Sequence, residues 1–201
     1  MCIRDGFMVG PTASGKSTTL TVLRKLMGSV SKLSPQQLVN GRFGPAELEG
    51  AWANIRSDIS SAVLQDIGLF KEVVAGDPIF VERKYEQGYN IRPTAKHLYS
   101  ANQLPEASID DDAFYRRILL VSFPTTIPKD ERVNRSELDD RLELELDGVL
   151  RWAVEGLMEV INQNEFTHDL SPEQTRRRWE SRSSSIGRFK VTALNVTGDH
   201  A

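Results

Sequence analysis

The sequence predicts an α/β domain with a central, mainly parallel sheet, followed by a helical region, on three observations. A short apolar run at residues 7–9 leads into a loop rich in glycine and serine, and a helical pattern of leucines follows from Thr18. Residues 118–123 form a continuous apolar run, which suits a strand at the centre of a parallel sheet. Beyond Pro128, apolar residues recur at helical spacing. We therefore expect a core over residues 1–128 and a helical lid or tail of the same domain over residues 129–201.

The loop at residues 10–18 matches the phosphate-binding pattern G-x-x-x-x-G-K-[ST] at every fixed position. Its glycines allow the positive φ that turns backbone N–H groups toward phosphate oxygens. Lys16 is placed to reach the β- and γ-phosphates, and Ser17 can offer a hydroxyl to Mg²⁺. A chance match in a turn is the alternative, but strand, loop and helix fall in the required order. The sequence thus predicts a site for ATP and Mg²⁺ formed by Gly10, Pro11, Thr12, Ala13, Ser14, Gly15, Lys16, Ser17 and Thr18.

The composition describes an ordinary soluble globular protein of 201 residues, with 39% hydrophobic and 26% charged residues. A net charge of −3 gives no global basic field, although a few local cations in a channel can still bind nucleic acid. The single cysteine excludes an internal disulfide and a cysteine-rich zinc site. No apolar run approaches the length of a membrane span, and the N-terminus does not match a signal peptide. These features predict a cytoplasmic setting.

Apolar spacing and turn residues predict the remaining elements. They are a connector over 28–45 with a short helix at 35–39, a strand at 51–55, a helix over 59–74 with a break at Gly68, a β-hairpin from 79–84 and the strand after 91, a strand at 96–101, a short helix at 110–117, a helix over 136–164 broken near Gly148, and a helix capped by Ser171.

A triphosphate hydrolase needs an acid for Mg²⁺, a polar group for the attacking water, and often an arginine at the γ-phosphate. Asp58, at the end of a predicted strand, suits the first role, but it equally suits an N-cap. Asn102 suits the second role, with a turn residue as the alternative. Arg116 and Arg117 end a predicted helix, where positive charge is favoured in any protein; the functional alternative is an arginine that reaches a neighbouring subunit's nucleotide.

Several segments together resemble the superfamily 3 helicases among the phage and plasmid primase-helicases, which are related to the poxvirus primase-helicase. The resemblance runs in unbroken order from Gly10 to about Phe166. Such proteins have an AAA+ core and assemble as hexameric rings on DNA. The segments that carry the resemblance are residues 76–85, 101–105, 114–118 with Phe123, and 148–157.

The resemblance implies a role for each matching position in an AAA+-type, three-layer P-loop NTPase. Lys16 and Ser17 would be Walker A residues, Asp58 the Walker B acid that holds Mg²⁺, and Asn102 the sensor 1 residue. Arg116 or Arg117 would be the arginine finger of the next subunit's site. Lys84 and Tyr85, on the hairpin, would meet single- or double-stranded DNA in the ring pore through phosphate contact and base stacking. An exposed edge strand guarded by lysine is the alternative for this pair.

Two departures from the family qualify these expectations. Ile59 stands where a second acid would follow Asp58, so the sequence does not show which carboxylate is the general base. No primase module is visible, and any priming activity is expected to come from elsewhere. The arginines at 176–178 are expected to form a solvated helix face, with a DNA or subunit contact as the alternative.

Two other classes of protein share the phosphate loop. The string from Gly10 to Lys16 also resembles the loop of the tRNA dimethylallyltransferases, and many small-molecule kinases fit the wider pattern. Such an enzyme would act as a monomer on a second substrate. A nucleotide-dependent switch with slow hydrolysis is the third possibility.

Overall fold

The structure of the protein, a computed structural model, describes residues 4–62, 67–106, 111–167 and 170–183. The described chain contains seven strands and seven α-helices, with short 3₁₀ turns at Gly44–Leu48 and Lys129–Glu131. In chain order the elements are β1 Asp5–Val9, α1 Lys16–Leu26, β2 Val30–Ser31, α2 Pro35–Asn40, β3 Ala53–Arg56, α3 Gly68–Ala75, β4 Ile79–Val81, β5 Tyr89–Ile91, β6 Lys96–Ala101, α4 Asp112–Tyr115, β7 Ile118–Ser122, α5 Arg135–Leu144, α6 Leu146–Gln163 and α7 Pro172–Ser183.

Five strands form a parallel sheet in the order β2-β3-β6-β1-β7, and β4 and β5 form a separate antiparallel hairpin. The predicted α/β fold with a central parallel sheet is confirmed. The prediction that residues 118–123 lie at its centre is wrong, because in the sheet that the described residues form β7 is an edge strand and β6 lies in the middle. An apolar edge strand is stable here because Leu120 packs against the core, while Val121 and Ser122 are exposed.

Alternate residues of the central strands point into two separate cores, as the period of two requires. On one face, Met8 and Ile55 pack against Leu20 of α1. On the other face, aromatic side chains from α3, α4 and α7 pack on β1 and β6, and Trp179 of α7 lies 4.9 Å from the ring of Phe7. The chain after residue 128 therefore contributes both to the main core, through α7, and to the opposite side of the molecule, through α5 and α6.

The α5–α6 pair lies outside α1. Arg135 donates to Thr21 Oγ1 over 2.8 Å, and Lys25 pairs with Glu143. These contacts place α5 alongside α1, with α6 returning next to it. The molecule thus has, from one side to the other, α5–α6, α1, the sheet, and the helices α3, α4 and α7.

Local differences from the sequence predictions have identifiable causes. Residues 59–62 are not helical, because the N–H of Ile59 bonds to Ser100 O and ties this segment to the end of β6. The helix begins only at Gly68, and residues 63–66 lie outside the described residues. The break in the long helical segment falls at Glu145 rather than Gly148, and β2 was not predicted. The predicted hairpin, the strand at 96–101 and the helix after Ser171 are confirmed.

The predicted helix over 110–117 is shorter in the structure, Asp112–Tyr115, and Asp110 lies outside the described residues. Asp111 caps it, because its side chain accepts from the N–H of Ala113.

Within the described residues, none of the helices combines the length and the apolar character that a membrane crossing requires.

Candidate functional site

The candidate site lies at the carboxyl edge of the sheet, where parallel strands of an α/β fold commonly place ligands. The loop after β1, the turn after β3 and the residue after β6 meet there with the start of α5. They enclose a cavity of about 320 Å³, within the usual range of ligand sites. Its lining consists of Thr12, Ala13, Ser14, Gly15, Lys16, Ser17, Thr18, Asp58, Asn102 and Arg135.

The phosphate-type loop needs glycine at two positions. A Cβ on Gly10 would lie 2.0 Å from Phe123 O, because the end of β7 passes directly against the loop. Gly15 has φ of 92°, a left-handed conformation that Ala13 also adopts at 58°. The loop is held from outside by the N–H of Ile127, which donates to Ala13 O over 2.9 Å. Alternating backbone handedness of this kind turns successive N–H groups toward one point.

The loop runs directly into the first turn of α1, and among the residues that the structure describes no side chain caps this end of the helix. The first turn also carries no acidic residue. Its backbone N–H groups are therefore available to an anion in the cavity, and the helix dipole favours negative charge at this place.

Lys16 is 4% exposed and closes back over the loop. Its Nζ donates to Gly10 O over 2.8 Å, Pro11 O over 2.7 Å, and Asn102 Oδ1 over 3.1 Å. Burial lowers the pKa of this amine, and the nearby Asp58 carboxylate opposes that shift. The structure thus brings Lys16 and Asn102, which are far apart in the sequence, into direct contact.

Asp58 reaches the cavity from a turn that three contacts hold in place. Its own N–H bonds to Ser100 Oγ, and Arg24 of α1 donates to Ile55 O over 3.1 Å and to Ser57 Oγ over 3.0 Å. The backbone of Asp58 is left-handed, with φ of 51°. The next residue, Ile59, is buried in the core and does not line the cavity.

The residues present fit a magnesium ion that is held together with a nucleotide. Ser17 and Asp58 line one cavity, and Mg²⁺ usually takes one or two protein oxygens together with phosphate oxygens and water. Within the described stretches of chain, His, Cys, Asp and Glu nowhere gather in threes, so a metal cage built from protein alone is not visible there. Among the described lining residues, Asp58 is the carboxylate.

Arg135 lines the cavity, and the sequence reasoning missed it. It is the first residue of α5, where its Nε pairs with Asp139 over 2.9 Å. A cation is disfavoured at the N-terminus of a helix, so an arginine there after the cap Asn134 was the available signal.

Arg116 and Arg117 do not line the cavity. They precede β7, whose first residue, Ile118, pairs with Asp5 at the amino edge of the sheet. The five residues of β7 separate them from the carboxyl edge, a span of about 17 Å. Arg117 is partly buried and donates to Ala113 O over 2.7 Å, whereas Arg116 is exposed.

Lys84 and Tyr85 occupy the tip of the β4–β5 hairpin. Tyr85 is 92% exposed, and the Lys84 Nζ lies 4.8 Å from the centre of its ring. The base of the hairpin is fixed, because Ile79, Val81 and Ile91 belong to the main core. The chain enters β6 a few residues after the hairpin, so the hairpin rises from the amino edge of the sheet.

Comparison with known protein families assigns the chain to one of them. Residues 8–117, more than half of the sequence, match a family of unknown function (DUF5906), and the chain therefore belongs to that family. No curated protein matches the sequence.

Solved structures with a similar fold include two of the NrS-1 C-terminal region in the apo state. One aligns over 92% of this chain and 44% of that chain, with 14% identity and a TM-score of 0.64. The other aligns over 73% of this chain and 35% of that chain, with 15% identity and a TM-score of 0.57. A JCV helicase structure, 14% identical over 72% of this chain and 44% of that chain, gives a TM-score of 0.45, too low to establish a shared fold. The chain spans less than half the length of each of these structures, and the first two show its fold alone.

Proposed function

We propose that this member of the DUF5906 family is an ATP-driven motor that hydrolyses ATP with Mg²⁺ between neighbouring subunits of a ring and moves along or unwinds DNA. The resemblance to phage- and plasmid-type superfamily 3 primase-helicases supports the assignment to replication. The single observation that carries the proposal is that the candidate site residues lie at two opposite edges of the sheet. Phosphate loop, Asn102 and Asp58 share one cavity, while the arginines expected to complete the reaction lie on the other edge of the same sheet.

Within one subunit, the cavity supplies binding and orientation. The loop N–H groups and the start of α1 would hold the β- and γ-phosphates, and Ser17 and Asp58 would hold Mg²⁺. Lys16 would exchange its bonds to the Gly10 and Pro11 carbonyls for phosphate oxygens. A Lys16 amine that turns toward phosphate would also release Asn102 Oδ1, and Asn102 would then be available to the attacking water.

Arg135 would act on the nucleotide of its own subunit. Its guanidinium already lines the cavity and is held by Thr21 Oγ1 and Asp139. Because α5 carries this arginine, a contact with the γ-phosphate would couple the presence of ATP to the position of the α5–α6 pair. This proposed coupling gives hydrolysis a way to move a helical layer.

The arginine finger must come from a second copy. A guanidinium that starts about 17 Å from the carboxyl edge cannot reach the cavity of its own chain. Of the two neighbours, Arg116 is the better candidate, because it is exposed while Arg117 is committed to Ala113 O. A finger of this kind contributes roughly 10³ to 10⁵ in turnover in other phosphoryl-transfer systems.

Mixing two inactive variants tests the shared site. Lys16→Ala removes the phosphate ligand but keeps the finger, whereas Arg116→Ala keeps the cavity but lacks the finger. Each alone should be inactive, and an equimolar mixture should recover up to about a quarter of wild-type ATPase, since one neighbour pair in four combines both intact halves. Arg117→Ala is the matched control and should turn over normally. A silent mixture at every protein concentration would contradict the model of a shared site.

DNA is proposed to bind at the hairpin tip. Lysine neutralises backbone phosphate, and an exposed aromatic ring stacks on a base without regard to sequence. Lys84→Ala should therefore lower the DNA-stimulated ATPase rate more than the basal rate. Lys32→Ala, which removes another exposed lysine, is the control. Equal loss of both rates in Lys84→Ala would indicate a structural hairpin.

The monomeric transferase or kinase remains the rival, and the same assays separate it. Such an enzyme would have a specific activity independent of protein concentration and of DNA, and it would require a small acceptor.

A further inference from the structure

An apolar stripe runs along the outer side of α6. Leu150, Val154, Leu157 and Ile161 are spaced as one face of a helix, and they are 50%, 50%, 57% and 61% exposed. A different side of α6 carries Val149 and Val160, which are partly buried. Exposed apolar surface that forms a continuous stripe marks an interaction site, whereas isolated apolar residues do not.

The stripe lies in an acidic surface. Residues 135–163, which include α5 and α6, carry eight acidic side chains against three arginines, in a chain whose overall charge is only −3. The acidic residues are Glu137, Asp139, Asp140, Glu143, Glu145, Asp147, Glu155 and Glu159. This α5–α6 surface borders the candidate site, because Arg135 at its start lines the cavity.

The opposite side of the molecule carries a basic surface formed by α4 and α7. Residues 111–117 and 172–183 carry six arginines against four acidic side chains. Of these arginines, Arg177 and Arg178 are exposed on α7, and Arg116 is exposed at the end of α4. The two helices are joined through the core, where the rings of Phe114 and Trp179 lie 5.5 Å apart. The sheet and α1 separate this α4–α7 surface from the α5–α6 surface.

We infer that the acidic, apolar α5–α6 surface of one copy binds the basic α4–α7 surface of the next. This inference rests on the proposed second-copy arginine and gives it a location: the same contact carries Arg116 toward the cavity beside Arg135. Two complementary surfaces on opposite sides of one molecule form a head-to-tail contact, which closes into a ring or continues as a filament. The positive charge of the α4–α7 surface is complementary to the negative charge of the α5–α6 surface.

Paired substitutions on one helix test the stripe. Leu157→Glu places a charge in its middle, and Trp152→Glu makes the same change about 140° around α6, at a side chain that is 73% exposed. Both positions are exposed, so neither change removes a core contact. Light scattering with ATP and Mg²⁺ should show assemblies for the wild type and Trp152→Glu. Leu157→Glu should need at least about tenfold more protein to assemble.

A second pair of variants tests the basic side. Arg177→Glu alone should likewise need at least about tenfold more protein to assemble. A mixture of Leu157→Glu and Arg177→Glu has one intact half of the contact in each protein, so it should give dimers and nothing larger.

Three results would overturn the inference: assembly of Leu157→Glu like the wild type, normal assembly of Arg177→Glu, or a wild-type chain that stays monomeric at every concentration. A stripe that instead covers a further segment of a longer polypeptide, or another protein, would give the third result. Recovery of ATPase in the Lys16→Ala and Arg116→Ala mixture does not depend on which surface docks. It therefore separates failure of this interface from failure of the proposed function.

Discussion

Replacing Asp5 by asparagine should change how the stability of the protein depends on pH, with little change in its contacts. Asp5 is 1% exposed at the start of β1, and its Oδ1 accepts from the N–H of His97 over 2.9 Å. Among the described residues, no group bonds to its Oδ2. Burial raises the pKa of Asp5 to about 7, although the His97 N–H and Lys96 pull it down. Asparagine keeps the accepting oxygen and removes the ionisation.

The sign follows from linkage. Between pH 3.8 and 7 the unfolded chain has lost the Asp5 proton while the folded protein keeps it, so the contribution of Asp5 to stability falls as pH rises. At about 1.4 kcal/mol per pH unit, the loss across this window is about 4 kcal/mol. The free energy of unfolding of Asp5→Asn, taken relative to the wild type, should therefore rise by this amount from pH 4 to 7.

His97 provides a control of opposite sign. It is fully buried, and burial lowers its pKa to about 3. Its Nδ1 lies 3.0 Å from Asn54 Nδ2 and accepts from it in the neutral ring. Between pH 3 and 6.5 the unfolded chain binds a proton that the folded protein does not, so this contribution rises with pH. The free energy of unfolding of His97→Gln, taken relative to the wild type, should therefore fall as the pH rises from 3 to 6.5.

Urea unfolding followed by tryptophan fluorescence measures both variants. Trp179 is fully buried, while Trp52 and Trp152 are 65% and 73% exposed, so the signal change reports the core. The wild type combines the two opposite contributions, which nearly cancel between about pH 4 and 6.5. A stability difference between Asp5→Asn and the wild type that stays constant from pH 4 to 7 would refute the reasoning.

Three further predictions concern the site and its support. Gly10→Ala should abolish nucleotide binding and lower the free energy of unfolding by about 1–3 kcal/mol, because the new Cβ meets Phe123 O. Thermal unfolding measures the stability, and a fluorescent nucleotide measures the binding. The control Gly148→Ala, which has open space around the new Cβ, should not destabilise the protein. Arg135→Gln should slow ATP turnover without unfolding the protein, as judged by steady-state kinetics and circular dichroism; unchanged turnover would exclude a role at the nucleotide. Trp179→Ala should cost about 3–5 kcal/mol in urea unfolding, since α7 anchors to the core through this side chain.

The sequence was sufficient where a pattern is local. The loop at residues 10–18 is a contiguous string between a strand and a helix, and the strand at 96–101 has the bounds that the sequence predicted. It was insufficient where a contact between distant segments decides the structure. Ser100 draws Ile59 out of the helix that its neighbours favour, and the position of β7 at the edge depends on the order of five strands. Arg135 was missed because its place in the cavity depends on how α5 docks on α1.

The strand order also limits what one copy of the chain can do. Asn102 and Arg116 are close in the sequence, but Asn102 follows the carboxyl end of β6 while Arg116 precedes the amino end of β7. In a parallel sheet, a residue that follows one strand and a residue that precedes another lie at opposite edges, about one strand length apart. Asn102 and Arg116 of one copy are therefore far apart in space although they are close in the sequence. The same argument applies to every subunit of an assembly. In the proposed motor, Arg116 therefore serves the cavity of a second copy, so hydrolysis at one site would depend on the neighbouring subunit.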